Sequence, residues 1–165
     1  MARRRPGLTV QQRAIEAYVL EQQIGHLLRR AHQRATGIFI AELGGSNRVT
    51  PTQYAALVKL RDVGEQSQNE LGRLIATDPA TTQGVIARLI RRRLVERSRD
   101  PGDGRRSKLC LTQRGRGLVE RLIPLGVDVT ARTLQPLTAR EQKLFLRLLA
   151  RLAGTILDTP GGGRC

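Results

Sequence analysis

One stretch of the chain, residues 67–112, decides the fold: SQNELGRLIATDPATTQGVIARLIRRRLVERSRDPGDGRRSKLCLT. The letters SQNE at 67–70 form a capping box that opens a short helix through Ala76, and Asp78-Pro79 opens another that is predicted to run to about Arg92. Beyond Leu94, two strand-like runs at 95–99 and 107–112 flank the turn-forming letters DPGDG. The stretch therefore predicts helix, turn, helix and β-hairpin.

The charge of this stretch indicates a polyanionic partner. Residues 88–108 contain nine basic and three acidic side chains, a local net charge of +6, and the whole chain of 165 residues carries +15. Such a balance favours nucleic acid or an anionic membrane surface. A membrane-surface helix needs bulky apolar residues, but the chain is only 2% aromatic, and no apolar run approaches the ~20 residues of a membrane span. Nucleic acid is the favoured partner.

Other classes of protein find little support. No apolar stretch follows the basic N-terminus, which argues against a signal peptide and for a cytoplasmic protein. Cys110 and Cys165 make neither a disulfide framework nor a zinc site, and Cys110 is expected to pack within its strand. No catalytic or metal-ligand cluster is evident, so we expect no enzyme activity, cofactor or metal.

The flanking segments are predicted to be helical. TPTQ at 50–53 starts a helix that stops near Gly64 and completes a helix-turn-helix core. Residues 11–43 have the apolar spacing of one long helix, another helix follows Thr112 with a kink or interruption at Pro124, and TARE at 138–141 opens a last helix that extends to Ile156. Residues 1–10 are expected to be a disordered basic arm and 158–165 a flexible tail.

The terminal helices suggest a dimer. Helices in 11–49 and 113–157 each carry an apolar stripe, and packing them together and against a second copy would bury both stripes. The predicted fold class is mainly α with a small β-hairpin wing. In it, residues 50–112 form a winged helix-turn-helix and both termini build a helical dimerisation domain.

The helix after Asp78 has a face suited to a DNA groove. A helical step places apolar residues on one side and small or polar residues on the other. Thr81 and Gln83 can bond to bases, Thr81 can instead contact a thymine methyl, and Arg88 can reach a guanine or a phosphate. Arginines at a hairpin tip fit a minor groove. The alternative is an ordinary solvated face. The candidate DNA-contacting residues are Ser67, Gln68, Thr81, Thr82, Gln83, Arg88, Arg91, Arg105 and Arg106.

With these features in place, residues 50–112 resemble the winged helix-turn-helix of the MarR (multiple antibiotic resistance regulator) family. The matching motifs are VTPTQYAAL, SQNELGRLI, DPATTQGVIARLIRRRLVER and DGRRSKLCLT, and the resemblance extends over about 11–157. It implies a homodimer on a palindromic double-stranded operator, recognition by the helix at 79–92, wings on flanking DNA, and often release by a small aromatic ligand. Arg93 stands where family members usually have glycine, so strain is expected at this helix end.

A second resemblance concerns the ligand. The sequence IGHLLRRAHQRATGIF at 24–39 is similar to the first helix of members that govern catabolism of nicotinate and related aromatic acids. It implies a cavity between the dimer helices and the DNA domain, an effector such as a hydroxylated nicotinate, and an ion pair between Arg29 and its carboxylate. Alternatively, the histidines are surface or interface residues and Arg29-Arg30 a solvated pair. The candidate ligand-binding residues are His26, Arg29, His32, Gln53 and Tyr54.

Together these features predict a ligand-responsive, sequence-specific transcriptional repressor that acts as a homodimer. The alternatives are a constitutive architectural DNA-binding protein without an effector and, less favoured, an enzyme that uses the inter-domain cleft.

Overall fold

The computed structural model describes residues 9–45, 49–100 and 103–155. Most of the predicted N-terminal arm, the predicted tail, Ile156 and Cys165 lie outside these ranges. Helices surround a two-stranded antiparallel hairpin, which confirms the predicted fold class. The elements are α1 (Val10–Glu16), α2 (Ile24–Leu43), α3 (Pro51–Val63), α4 (Gln68–Leu74), α5 (Pro79–Arg91), β1 (Val95–Asp100), β2 (Asp103–Leu111), α6 (Gln113–Leu134) and α7 (Ala139–Leu152).

The three helices of the helix-turn-helix start at the predicted capping residues. The Thr50 hydroxyl accepts from the Gln53 amide at 3.2 Å, and the Gln53 side chain accepts from the Thr50 amide at 3.3 Å. Ser67 and Glu70 exchange the same pair of bonds at 3.3 and 2.9 Å, and Asp78 caps α5. These bonds satisfy amides that the first helical turn leaves without partners. The predicted starts are confirmed, and α4 ends at Leu74, before the predicted Ala76.

One hydrophobic core joins the helix-turn-helix, the hairpin and the longer helices. It lies where α3, α4 and α5 meet β1, β2 and α6, with α2 closing one side. Burial of these side chains is the main source of stability in a fold of this size. The largest fully buried side chains are Leu43, Leu57, Leu71, Ile86, Leu89, Leu94, Leu109, Leu122, Val95, Val119 and Thr82.

The turn from α5 into β1 is strained in the way the sequence predicts. Arg93 has a φ of 56°, in the left-handed region that glycine adopts more easily. Its amide donates to the Ile90 carbonyl at 2.8 Å, and the Leu94 amide donates to the Leu89 carbonyl at 3.0 Å. These two bonds define a Schellman motif. The Thr112 hydroxyl then donates to the Arg93 carbonyl at 2.8 Å and holds the turn in place.

The hairpin is longer than predicted, which moves two arginines out of the turn. Its strands pair from Val95 opposite Leu111 to Asp100 opposite Asp103, with a register shift next to Arg99. The backbones of Arg105 and Arg106 therefore lie within β2, so the prediction that they occupy the hairpin tip is wrong. The register shift makes room for both arginines, because residues 104–106 have no partners between the pairs Arg99–Ser107 and Asp100–Asp103.

The connection before α4 pins the hairpin to the helices. The Gln66 amide donates to the Leu109 carbonyl at 3.1 Å, and the Leu109 amide donates to the Gln66 carbonyl at 2.8 Å. This isolated bridge gives the inner half of β2 a partner on each side.

The N-terminal segment is not the single long helix that its periodicity predicts. Helix α1 ends at Glu16, a short 3-10 turn occupies Leu20–Gln22, and α2 starts at Ile24. Aromatic and β-branched residues such as Tyr18 and Val19 have low helix propensity. Packing does not compensate for this low helix propensity, because Ile15 is 68% exposed and Tyr18 is 60% exposed in the protomer.

Helix α6 runs past Pro124 without interruption, so an interruption there is a wrong prediction. It packs against α2, where the Arg132 guanidinium pairs with Glu42 and Arg34 donates to the Arg132 carbonyl at 3.4 Å. Helix α7 follows the predicted capping box, and the side-chain amide of Gln142 donates to the carbonyl of Leu134, which ends α6, and to that of Leu137 in the connection.

Arg93→Gly is expected to raise the free energy of unfolding by about 1 kcal/mol, because it removes the left-handed strain at an exposed position. Thermal denaturation should show a Tm higher by about 2–4 °C. Arg91→Gly, two residues earlier in right-handed helix, is the matched control and should lower stability by about 1 kcal/mol. Equal losses in the two variants would contradict the strain argument.

Candidate nucleic-acid interface and ligand site

Helix α5 presents one buried face and one face of small and polar residues. Val85, Ile86 and Leu89 are buried against the core. The outer face is exposed, and its small side chains leave the backbone accessible to a groove. Its exposed members are Ala80, Thr81, Gln83, Ala87, Arg88 and Arg91.

Thr82 does not belong to this outer face. Its side chain is 1% exposed, and its hydroxyl donates to the Asp78 carbonyl at 2.8 Å. The Thr77 hydroxyl lies 2.8 Å from the Thr82 hydroxyl. A Cβ at Gly72 would approach the Thr82 hydroxyl to 2.8 Å, so α4 covers it closely. The buried position of Thr82 therefore disagrees with its predicted DNA contact. The helical step places this residue at the border of the two faces of α5, and packing against α4 buries it.

The hydroxyl of Thr81 is engaged within its own helix. It donates to the Asp78 carboxylate at 2.6 Å, while the Thr81 amide donates to the other carboxylate oxygen at 2.9 Å. The side-chain and backbone hydrogen bonds from Thr81 lower the pKa of Asp78 from its ordinary value. The carboxylate is therefore ionised at neutral pH and remains an acceptor for this hydroxyl.

Arg88 lies back along the helix. Its Nε donates to the Gly84 carbonyl at 3.1 Å, and a Cβ at Gly84 would sit 3.2 Å from the guanidinium. Glycine one turn earlier therefore leaves room for this conformation. The side chain is exposed and its long stem can extend from the helix toward a bound partner.

The N-terminal part of α4 and the strand β2 line a common cavity. A cavity of about 420 Å³ is lined by Ser67, Gln68, Asn69, Arg73 and Ser107. The structure thus brings the predicted pair at 67–68 next to β2. Sequence reasoning missed Asn69 and Arg73, although their spacing of one helical turn on α4 was a usable signal. The side chains of Arg105 and Arg106 lie outside the described residues.

The predicted ligand residues do not gather at one point in the protomer. The Tyr54 ring packs edge-on against Phe39 of α2, with ring centroids 5.6 Å apart. At 1.5 Å per residue, Arg29 lies about 15 Å and His26 about 20 Å along α2 from Phe39. Arg29 also points toward His26, with its guanidinium 3.4 Å from Nδ1. His32 is exposed between these two groups.

Gln53 and Tyr54 have different roles in α3. Gln53 is 5% exposed and its side-chain oxygen already accepts the capping bond from Thr50, which limits what it can offer a ligand. Tyr54 is half-buried, and its hydroxyl fits against Gly126 of α6, where an added Cβ would lie 2.1 Å away. Burial raises the pKa of Tyr54, so the phenol keeps its proton at neutral pH and remains a hydrogen-bond donor.

The described residues offer little for other chemistry. Burial and the Glu96 carboxylate raise the pKa of the Cys110 thiol, which disfavours the reactive thiolate. Within the three described ranges, no group of three His, Cys, Asp or Glu side chains could hold a metal ion. None of the described helices is both long and apolar enough to span a bilayer.

The winged helix-turn-helix geometry agrees with comparison to known proteins. Residues 49–107 match the model of the MarR family. The HTH-type transcriptional repressor NicR of Pseudomonas putida is 38% identical over 135 residues, which cover 82% of this chain and 85% of NicR. The chain belongs to the MarR family. As a member of this family it is a DNA-binding transcriptional regulator.

Solved MarR-family structures resemble the protein over most of its length. A probable transcriptional regulator from Pseudomonas aeruginosa is 45% identical with a TM-score of 0.76, covering 81% of this chain and 99% of that one. BpsR of Bordetella bronchiseptica, whose DNA binding is regulated by 6-hydroxynicotinic acid, is 37% identical with a TM-score of 0.79, covering 84% and 99%.

Gly126→Ala is expected to lower the free energy of unfolding by about 1–3 kcal/mol, because the new methyl group would overlap the Tyr54 hydroxyl. Chemical denaturation of the purified protein measures this change. Gly117→Ala, on the same helix but with its nearest neighbour 3.8 Å away, is the control and should be neutral or stabilising by about 0.5–1 kcal/mol. A stable Gly126 variant with an undisturbed Tyr54 would refute this packing.

Proposed function

We propose that the protein is a homodimeric repressor that binds a palindromic operator through α5 and is released by a small aromatic carboxylate. The observation that carries the proposal is the outer face of α5, which is polar and exposed on a helix that packs against α4. Similarity to NicR, a repressor, and to BpsR supports the regulatory class and points to hydroxylated nicotinates as effectors.

The way the ends of α5 are held supports its proposed placement in a major groove. The Asp78 cap fixes its start, and the Schellman turn at Arg93 fixes its end against Thr112. A reading helix held in this way presents the same side chains at each encounter, which favours base contacts over loose phosphate contacts. Arg88 and Arg91 carry positive charge along the exposed side.

The apolar faces of the terminal segments support a dimer. On α7, Ala150 is buried while Leu144, Phe145, Leu148 and Leu152 are exposed. The segment before and within α2 also exposes large apolar side chains, namely Ile15, Tyr18, Val19, Leu20, Ile24, Leu27 and Leu28. Contiguous apolar surface of this kind indicates an interface. A second copy that offers the same two faces would cover both and set two reading helices about one turn of DNA apart.

The effector proposal rests on Tyr54 and on the arginine side chains of α2. An aromatic ring can pack beside Tyr54 and Phe39, whose edge-on contact already forms an aromatic wall. The Tyr54 hydroxyl donates to a ring substituent. Arg29 is proposed to leave His26 and pair with the effector's carboxylate, since guanidinium and carboxylate form paired hydrogen bonds; its side chain and the effector must together span the distance of about 15 Å along α2 that separates Arg29 from Phe39. Binding then favours a dimer arrangement with lower affinity for the operator.

Arg88→Ala is expected to weaken operator binding by about ten- to a hundredfold, since a good arginine–guanine pair contributes about 1–3 kcal/mol of discrimination. Binding to random duplex at the same salt concentration should fall much less. Fluorescence anisotropy with both duplexes measures the two losses, and Arg140→Ala on α7 controls for loss of one positive charge. Equal losses on the two duplexes would mean that Arg88 contacts only phosphate.

An effector screen tests the regulatory half of the proposal. 6-Hydroxynicotinic acid, nicotinic acid and benzoic acid should be compared by thermal shift and by release of operator DNA. We expect a hydroxylated aromatic acid to raise the Tm and to dissociate the operator. Arg29→Ala should weaken effector binding by about tenfold or more while operator binding persists, and Arg30→Ala is the neighbouring control.

The same screen distinguishes the alternatives. Sequence-specific binding that no compound changes would favour the constitutive architectural protein. Stabilisation by a compound that leaves the operator bound would count against regulation by that compound. Chemical turnover of the compound would favour an enzyme.

A further inference from the structure

We propose that Thr81 recognises a thymine of the operator through its methyl group, with Asp78 as the residue that positions it. The inference rests on the proposed function, because it requires α5 to lie in a major groove. It assigns to one exposed side chain of the reading face a particular base and a particular atom of that base.

The hydrogen-bonding state of Thr81 excludes one form of base contact. A threonine hydroxyl has a single proton, and the proton of Thr81 is donated to the Asp78 carboxylate at 2.6 Å. Donation to guanine O6 or N7, or to thymine O4, would require this bond to break. A charged acceptor makes the bond stronger than a neutral one would. Thr81 therefore meets DNA with a methyl group and an oxygen that can only accept.

The same bond fixes the orientation of the methyl group. Rotation about the Cα–Cβ bond of Thr81 is set by the bond from its hydroxyl to the Asp78 carboxylate, and the Thr81 amide holds the other oxygen of that carboxylate at the first turn of α5. The side chain is exposed, and the neighbouring Ala80 and Gly84 project little beyond the backbone. These two small residues leave the methyl group room to approach the floor of the groove, where thymine alone presents a 5-methyl group.

The proposal can be tested at the level of single methyl groups. A duplex is first selected by the wild-type protein from random sequence. Each thymine of that duplex is then replaced by deoxyuridine, one symmetric pair at a time, which removes only the 5-methyl group. Binding of wild type, Thr81→Ser and Thr81→Val is measured on every duplex. Serine removes the protein methyl group and keeps the hydroxyl, whereas valine keeps the methyl group and removes the hydroxyl.

We expect one symmetric thymine pair at which deoxyuridine weakens wild-type binding by about fourfold per methyl group. Thr81→Ser should bind the thymine duplex more weakly by a similar factor, and its affinity should not fall further on the duplex that carries deoxyuridine. Thr81→Val should retain the thymine preference only in part, because it keeps a methyl group but loses the bond to Asp78 that orients it. Gln83→Ala, on the other flank of α5, should keep the thymine preference. Thermal melting of each variant confirms that folding is intact.

Either of two results would overturn this inference and leave the proposed function standing. Wild-type binding that no deoxyuridine changes, with Thr81→Val as damaging as Thr81→Ser, would show that the hydroxyl makes the contact. A full uracil effect in Thr81→Ser would assign the methyl contact to another residue. If no duplex is enriched over random sequence, the proposed function itself fails, and the inference fails with it.

Discussion

The fold depends on one backbone crossing, where the end of α5 meets the start of α6. The Leu94 carbonyl accepts from the Thr112 amide at 3.1 Å, and the Thr112 hydroxyl donates to the Arg93 carbonyl at 2.8 Å. A Cβ at Gly115 would come within 2.0 Å of the Leu94 carbonyl, so only glycine permits this approach. Three elements, namely α5, the hairpin and the long helix α6, meet at these few atoms. The strain at Arg93 is tolerated because the surrounding bonds leave the turn no alternative.

A second constraint sets the angle between α4 and α5. The hydroxyls of Thr77 and Thr82 and the Asp78 carbonyl form a short chain of hydrogen bonds, and Gly72 lets α4 approach it. Buried polar groups are costly unless each is paired, so such a chain tolerates one arrangement far better than others. Thr82, which the sequence analysis predicted to contact DNA, therefore stabilises the turn between α4 and α5.

The parts of the fold that sequence could predict are those with local causes. The capping boxes place helix starts correctly because both partners lie within four residues of each other, and α3 ends next to Gly64, as predicted, where the backbone has a positive φ. The break between α1 and α2 was missed because apolar periodicity alone does not say whether a partner surface is present. The ligand set was drawn from two helices without their relative placement. The packing of Tyr54 on Phe39 and Gly126 shows that Tyr54 lies near one end of α2, whereas Arg29 and His26 lie toward the other end.

The bridge between Gln66 and Leu109 has a consequence for the DNA itself. It holds β2 from the side opposite the Thr112 crossing, so the inner hairpin and α5 are attached to the helices at two points. Such a reading head cannot adjust its parts separately when half-sites are misplaced. One base pair inserted between half-sites would rotate one relative to the other by about 35°, and heads that are rigid within themselves leave the rotation to the dimer arrangement or to a twist of the duplex. The spacing of the half-sites would then be recognised as well as their bases.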